Sequence, residues 1–203
     1  MGLDIVLGTR NKAKIYFLKK FLAHDSSINV RTLDEFDNID DVEESGTTLE
    51  ENALIKACYY GDLLQLPVIS NDAGLEIPCL NNEPGVKTRR WSDGKTYLSD
   101  EHFLDYMYKR LNEVNCQRWE ARMRSVVGYY NPLVGIKETF SASINGEIVK
   151  NRPEEIKYPG FPIRSVLIVD GYNKIYHDLS DDELSEIDQD KKALDKLLKF
   201  LKS

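Results

Sequence analysis

The chain has 203 residues, of which 41% are hydrophobic and 30% charged, with a formal net charge of -7. This size and composition fit one domain, or one domain with a small second lobe, around a real core. The acidic balance argues against a nucleic-acid polymer as the main partner, which would need a basic face, and no segment approaches the ~18 apolar residues of a membrane span. Cys58, Cys79 and Cys116 lie far apart without CxxC spacing, which predicts reduced thiols in a cytoplasmic protein. His24, His102 and His177 are equally scattered, so no zinc site is expected.

In chain order, Leu3–Leu7 is a short apolar run bounded by Gly8 and predicts a buried strand. Asn11 can cap a helix whose Ile15, Leu18, Phe21 and Leu22 recur at helical spacing. Residues 34–44 are acidic and predict a loop. Thr48 and Glu51 have capping-box spacing, and Leu49, Ala53, Ala57, Tyr60 and Leu64 mark the inner face of a second helix. A strand follows at Val68–Ser70, closed by an expected turn at Asn71-Asp72-Ala73-Gly74. This order points to an α/β core.

Ser99 can cap a further helix carrying Phe103, Met107, Leu111 and Val114. Residues 119–130 alternate in part, and 136–149 contain Asn145-Gly146, a hairpin-turn signal, so antiparallel strands over about 115–160 are expected to form a second lobe. Val166–Val169 predicts a strand ending in a turn at Asp170-Gly171. From about Asp181 a single helix is expected, with Leu184, Ile187, Leu194, Leu197, Leu198 and Leu201 inward. Its acids gather at the start and its lysines at the end, as the helix dipole favours.

Three stretches carry candidate chemistry. Gly8-Thr9-Arg10-Asn11-Lys12-Ala13-Lys14, between a strand and a helix, reads either as an anion site or as an Asn cap followed by solvated lysines. Residues 43–57 bring four acids near Lys56 at a helix start; a hard cation would accept one or two of them, and a dipole-compensated helix start would look the same. Asp72 directly follows a strand, where α/β sheets usually place ligand chemistry, and could bind metal or activate water. Lys87, Arg89 and Arg90 then form a cationic turn.

In this order and register the stretches resemble the inosine triphosphate pyrophosphatase (Ham1-like) family. Thr9–Lys14 resembles its T-G-N-x-x-K phosphate loop, and ESGTTLEENALIKA at 44–57 resembles its E-T-G-x-T-F-x-E-N-A-x-x-K-A segment. PVISNDAGLEIPCLNNEPGVKTRRW at 67–91 resembles its P-x-x-x-D-D-S-G-L…PG-x-x-S-A-R-Y segment. The resemblance implies an elongated, two-lobed α/β fold with a mixed sheet, flanking helices and a central nucleotide cleft. It implies a single domain over 1–203, with the phosphate and metal motifs in a lobe of about 1–91 plus the C-terminal helix. It further implies a homodimer that cleaves nucleoside triphosphates between the α- and β-phosphates, releasing pyrophosphate with Mg2+ as cofactor. By position, Thr9, Arg10, Asn11, Lys14 and Lys56 would hold the triphosphate, with Ala73 and Arg90 beside it. Glu44 and Asp72 would hold the metal, Asp72 would activate water, and Glu51 is a further ligand candidate.

The resemblance weakens toward the C-terminus. Arg10 replaces a glycine, Asn71 the first acid of an Asp-Asp pair, and Ala73 its serine. Gly160–Ser180 keeps register through Gly160, Phe161, Asp170, Gly171, Lys174, Leu179 and Ser180. Yet Ile163 stands for the base-stacking aromatic, Arg164 for the base-reading aspartate, Leu184 for a lysine, and Asp188, Gln189 and Asp190 for Ser-His-Arg. Phe161 or Tyr158 could replace the missing stack. The exchange of signs at Arg164 and Asp190 could retain an ion pair while reversing what the pocket offers a base. Acceptors there would favour an exocyclic amino group over a keto oxygen; drift on a solvated helix would leave selectivity unchanged. A nucleotide-binding protein of the same fold without turnover is the alternative function.

Overall fold

The computed structural model describes residues 2–203 as an α/β fold with an eight-stranded mixed sheet. The strands are β1 (Leu3–Leu7), β2 (Ile28–Thr32), β3 (Val68–Ile77), β4 (Glu83–Gly85), β5 (Glu120–Asn131), β6 (Ile136–Ile148), β7 (Leu167–Val169) and β8 (Lys174–Ile175). Their order is β2-β1-β3-β5-β6-β7-β8, with β4 paired to β3. The helices are α1 (Lys12–Leu22), α2 (Leu49–Leu64), α3 (Asp100–Asn112), α4 (Asp181–Ile187) and α5 (Gln189–Leu201). Among the described residues, no helix is long and apolar enough to cross a membrane.

Two compact units divide the chain. The first holds the chain up to Ala73 together with Ser125–Ala142 and Asp190–Ser203. Here β1 runs parallel to both β2 and β3. Both faces of β1 are covered from Ile5 to Leu7, which explains the three consecutive apolar residues there. Ile5 and Leu7 pack with Leu18 and Leu22 of α1 and Ala193, Leu194 and Leu197 of α5. Val6 packs on the other side with Ala57 and Tyr60 of α2. The same alternation continues along β3, where Val68 joins the α2 side and Ile69 the α1–α5 side.

The second unit, Gly74–Arg124 with Ser143–Gln189, has its own core around Leu75, Phe103, Leu104, Met107, Ile148 and Leu167. Ser99 caps α3, accepting from the His102 amide. Trp91 and Trp119 are buried in this core.

Four local expectations are corrected. Asn71-Asp72-Ala73-Gly74 is not a turn but lies inside β3, which runs on to Ile77. Asn145-Gly146 is likewise inside β6: Gly146 pairs with Val169, and a Cβ there would collide with the Ile168 carbonyl. Glycine therefore serves close strand approach at this position, and the turn between β5 and β6 falls at 132–135 instead. The C-terminal helix breaks at Asp188 into α4 and α5, and Leu184 and Ile187 join the second core while Leu194 and Leu197 join the first. Ile28–Thr32, β2, was not anticipated because its partly exposed edge carries only weak alternation.

Candidate functional site

The candidate residues of the first unit gather where β1 ends beside the middle of β3, against α1 and α2. Asn11 is the cap of α1: its Oδ1 accepts from the amides of Ala13 and Lys14 at 3.0 and 3.3 Å, and its own amide donates to Thr9 Oγ1 at 3.2 Å. The loop between β1 and α1 is thus fixed by its own polar side chains.

Lys14 lies one turn before Leu18 on the inward stripe of α1, so its stem packs while its Nζ donates to the Asn71 carbonyl at 3.1 Å. Burial holds its pKa below the ordinary lysine value, and the nearby Lys56 charge lowers it further. Asp72, Asp190 and Glu44 act in the opposite direction.

Arg10 borders the same cavity as Thr9, Asn11 and Lys14, and acidic partners hold it there. Its Nε and Nη1 meet Asp41 and Asp34 at 2.9 and 3.2 Å, and Nη2 donates to the Ile39 carbonyl at 2.6 Å. Its charge is offset by these carboxylates, and the side chain pins the acidic loop that leads to Glu44.

Glu51 forms the capping box that its spacing from Thr48 predicts. Its carboxylate accepts from the Thr47 amide and hydroxyl at 2.6 and 2.8 Å and from the Thr48 amide at 3.2 Å, while Thr48 Oγ1 accepts from the Glu51 amide. It completes a capping box at the start of α2, and those hydrogen bonds hold its pKa low.

Lys56 sits on the inward face of α2 with only 8% of its surface exposed. Its Nζ lies 2.9 Å from Glu44 Oε2 and 3.4 Å from Asp72 Oδ1. Asp72 itself is placed by strand alternation: Ser70 and Asp72 face α2, with Ser70 Oγ donating to the Ala53 carbonyl. Burial and the Glu44 charge raise the pKa of Asp72, and the two lysines oppose the rise without cancelling it.

These groups line a cavity of about 350 Å³ that includes Thr9, Asn11, Lys14, Glu44, Lys56 and Asp72. Its lining brings three cationic side chains, Arg10, Lys14 and Lys56, beside three carboxylates, Asp41, Glu44 and Asp72, and each cation already has an oxygen partner. Among the described residues no cluster of three or more His, Cys, Asp or Glu forms a metal cage. The available donors are oxygens only, and a hard cation held here would draw its other ligands from water or phosphate, as magnesium sites commonly do.

Asn71 and Ala73 point to the other face of β3. Asn71 Nδ2 donates to Ser125 Oγ at 2.7 Å and to Asp190 Oδ1 at 3.3 Å, and Ser125 Oγ donates to Asp190 Oδ1 at 2.6 Å. These residues border a second cavity of about 260 Å³, which shares Lys14 with the first. Ser125 was not anticipated, although a signal was present: it is the polar member of the inward series Ser125, Val127, Tyr129.

Arg90, Phe161, Arg164 and Gln189 belong to the second unit. Arg90 is exposed and Gln189 buried. Phe161 meets Tyr176 edge-on at 6.1 Å. The Arg164 guanidinium lies 4.0 Å from the Tyr158 ring centre and 4.8 Å from that of Tyr176, with Nε and Nη2 buried and without a hydrogen-bond partner. Arg164 rests on aromatic rings, and the Asp190 carboxylate accepts from Asn71 and Ser125.

A capped strand–loop–helix junction beside a buried lysine that bridges two carboxylates, one inside β3 and one on the loop before α2, marks a polar cavity in an α/β protein. A sequence model of the Ham1 family matches residues 5–200. Among similar proteins, the dITP/XTP pyrophosphatase of Bacillus anthracis is 32% identical over 196 residues, covering 96% of this chain and 94% of that one. The dITP/XTP pyrophosphatase of Wigglesworthia glossinidia brevipalpis is 34% identical, with 98% and 97% covered. The structure of the Staphylococcus aureus Ham1 protein superposes with a TM-score of 0.80 at 28% identity, and a HAM1 protein from Coxiella burnetii with 0.85 at 26%, each over 98% of both chains. The chain belongs to the Ham1 family.

Proposed function

We propose that the chain is a nucleoside triphosphate diphosphatase, converting a triphosphate and water to a monophosphate and pyrophosphate. The observation that carries this reading is the placement of Lys14, Lys56, Glu44 and Asp72 around one cavity, with Lys56 Nζ between the two carboxylates. Relatives aligned over nearly their whole length bear the name dITP/XTP pyrophosphatase, which supports the same reaction class.

In this mechanism Lys14 and Lys56 bind the phosphate chain, with Thr9 and Asn11 at its side. Asp72, whose raised pKa makes it a stronger base than an ordinary aspartate, takes a proton from water. The water oxygen bonds to the α-phosphorus, the bond from that phosphorus to the bridging oxygen of the β-phosphate breaks, and pyrophosphate leaves with its negative charge offset by the lysines. Glu44 and Asp72 would hold Mg2+, which supplies charge neutralisation of the phosphates. The free thiols of Cys58, Cys79 and Cys116 are compatible with a cytoplasmic enzyme, and the family resemblance supports a homodimer, which light scattering would check.

The test is pyrophosphate release with magnesium, comparing the natural chain with Asp72→Ala. Release that falls about 100-fold or more in the variant, with nucleotide binding retained, supports the reading. Nucleotide binding by the natural chain without any pyrophosphate would overturn it in favour of a binding protein.

A further inference from the structure

The second cavity of the first unit has walls of Phe17, Leu18, Val127 and Leu194 and a polar floor of Asn71 and Asp190. It shares Lys14 with the phosphate-type cavity, so a ligand anchored there by its phosphates has an apolar recess within reach of its other end. At about 260 Å³ this recess suits a planar ring system rather than a whole nucleotide.

The floor is chemically biased. Ser125 Oγ spends its single hydrogen on Asp190, so toward Asn71 it can only accept. Asp190, a carboxylate, can also only accept. Both neighbours therefore require the Asn71 amide to turn its NH2 toward them, and the carbonyl oxygen Oδ1 is left on the opposite side. Asn71 is 5% exposed, yet its Oδ1 accepts no hydrogen bond from any described residue and is not sealed from solvent. A buried residue with one open, unpartnered acceptor at the edge of an apolar recess is a site awaiting a donor.

We infer that this recess takes a purine base through an exocyclic amino group, with Asn71 Oδ1 as the acceptor and Asp190 as the positioning residue that sets the amide's orientation. The inference rests on the reading of the chain as a triphosphate hydrolase. Adenine carries such a group at C6, where guanine, hypoxanthine and xanthine carry a keto oxygen that would leave the acceptor facing an acceptor. The chain would then differ in substrate choice from relatives named for dITP and XTP.

The test is kcat/KM for ATP, GTP, ITP and XTP, in parallel with binding of their non-hydrolysable α,β-methylene analogues. ATP should exceed GTP, ITP and XTP by about tenfold or more in either measurement. In Asp190→Asn and Asn71→Leu that ratio should collapse toward one, an outcome that a merely structural role for these residues would not produce. Turnover with GTP, ITP or XTP equal to or better than ATP overturns the inference and leaves the hydrolase reading standing. Absence of turnover with a preserved binding preference does the reverse. If the variants do not fold, the ratio in the natural chain decides.

Discussion

The Nζ of Lys14 donates to the backbone carbonyl of Asn71 at 3.1 Å, tying α1 to β3 at the point where the two faces of the strand part company. On one face Asp72 meets Lys56; on the other the Asn71 side chain meets Ser125 and Asp190. A single lysine therefore borders both cavities, and strand alternation alone assigns adjacent residues to different tasks.

Lys14→Met retains the buried stem and removes the charge. With one of the three cations lining the phosphate cavity gone, kcat/KM for triphosphates should fall about 10- to 100-fold while thermal stability changes little or rises, because burial opposes the lysine charge. Steady-state kinetics with a parallel melting curve checks both parts.

Gly128→Ala tests the seating of α2. A Cβ at this position of β5 would come within 2.8 Å of the Ala53 carbonyl carbon and oxygen, backbone atoms that cannot step aside. Overpacking of this kind costs about 1–3 kcal/mol, read as a lower urea midpoint. Because Ala53 lies one turn before Lys56, activity should fall as well.

Asp25→Asn tests the anchoring of the C-terminus. Lys202 Nζ lies 2.7 Å from Asp25, and this contact with the Ser27 hydroxyl and amide lowers the Asp25 pKa from 3.8 to about 2. A depressed folded pKa gives stability that is present above pH 3.8 and lost as pH falls toward about 2. The natural chain should therefore exceed the variant in urea midpoint at pH 6, with the gap closing at pH values between 3.8 and about 2. A gap independent of pH would contradict the assignment.

Much of the fold was legible because periodicity coincides with burial: Leu3–Leu7, the Thr48–Glu51 capping box and the α3 stripe stand where the sequence puts them. The site was legible where a charge interrupts such a stripe, as Lys56 does between Ala53 and Tyr60 and Asp190 does before Ala193, Leu194 and Leu197. The partners of Arg10, Asp34, Asp41 and the Ile39 carbonyl, lie 24 to 31 residues away along the chain, which spacing does not reveal. Asn71–Gly74 and Asn145-Gly146 carry turn chemistry in composition, but ladder pairing and close packing override it.

The most direct test of the central claim is hydrolysis of a triphosphate in 18O-labelled water with magnesium, followed by 31P NMR. Attack at the α-phosphorus with Asp72 as base predicts a monophosphate carrying the label and unlabelled pyrophosphate. Diphosphate with orthophosphate, or label found in pyrophosphate, would contradict it.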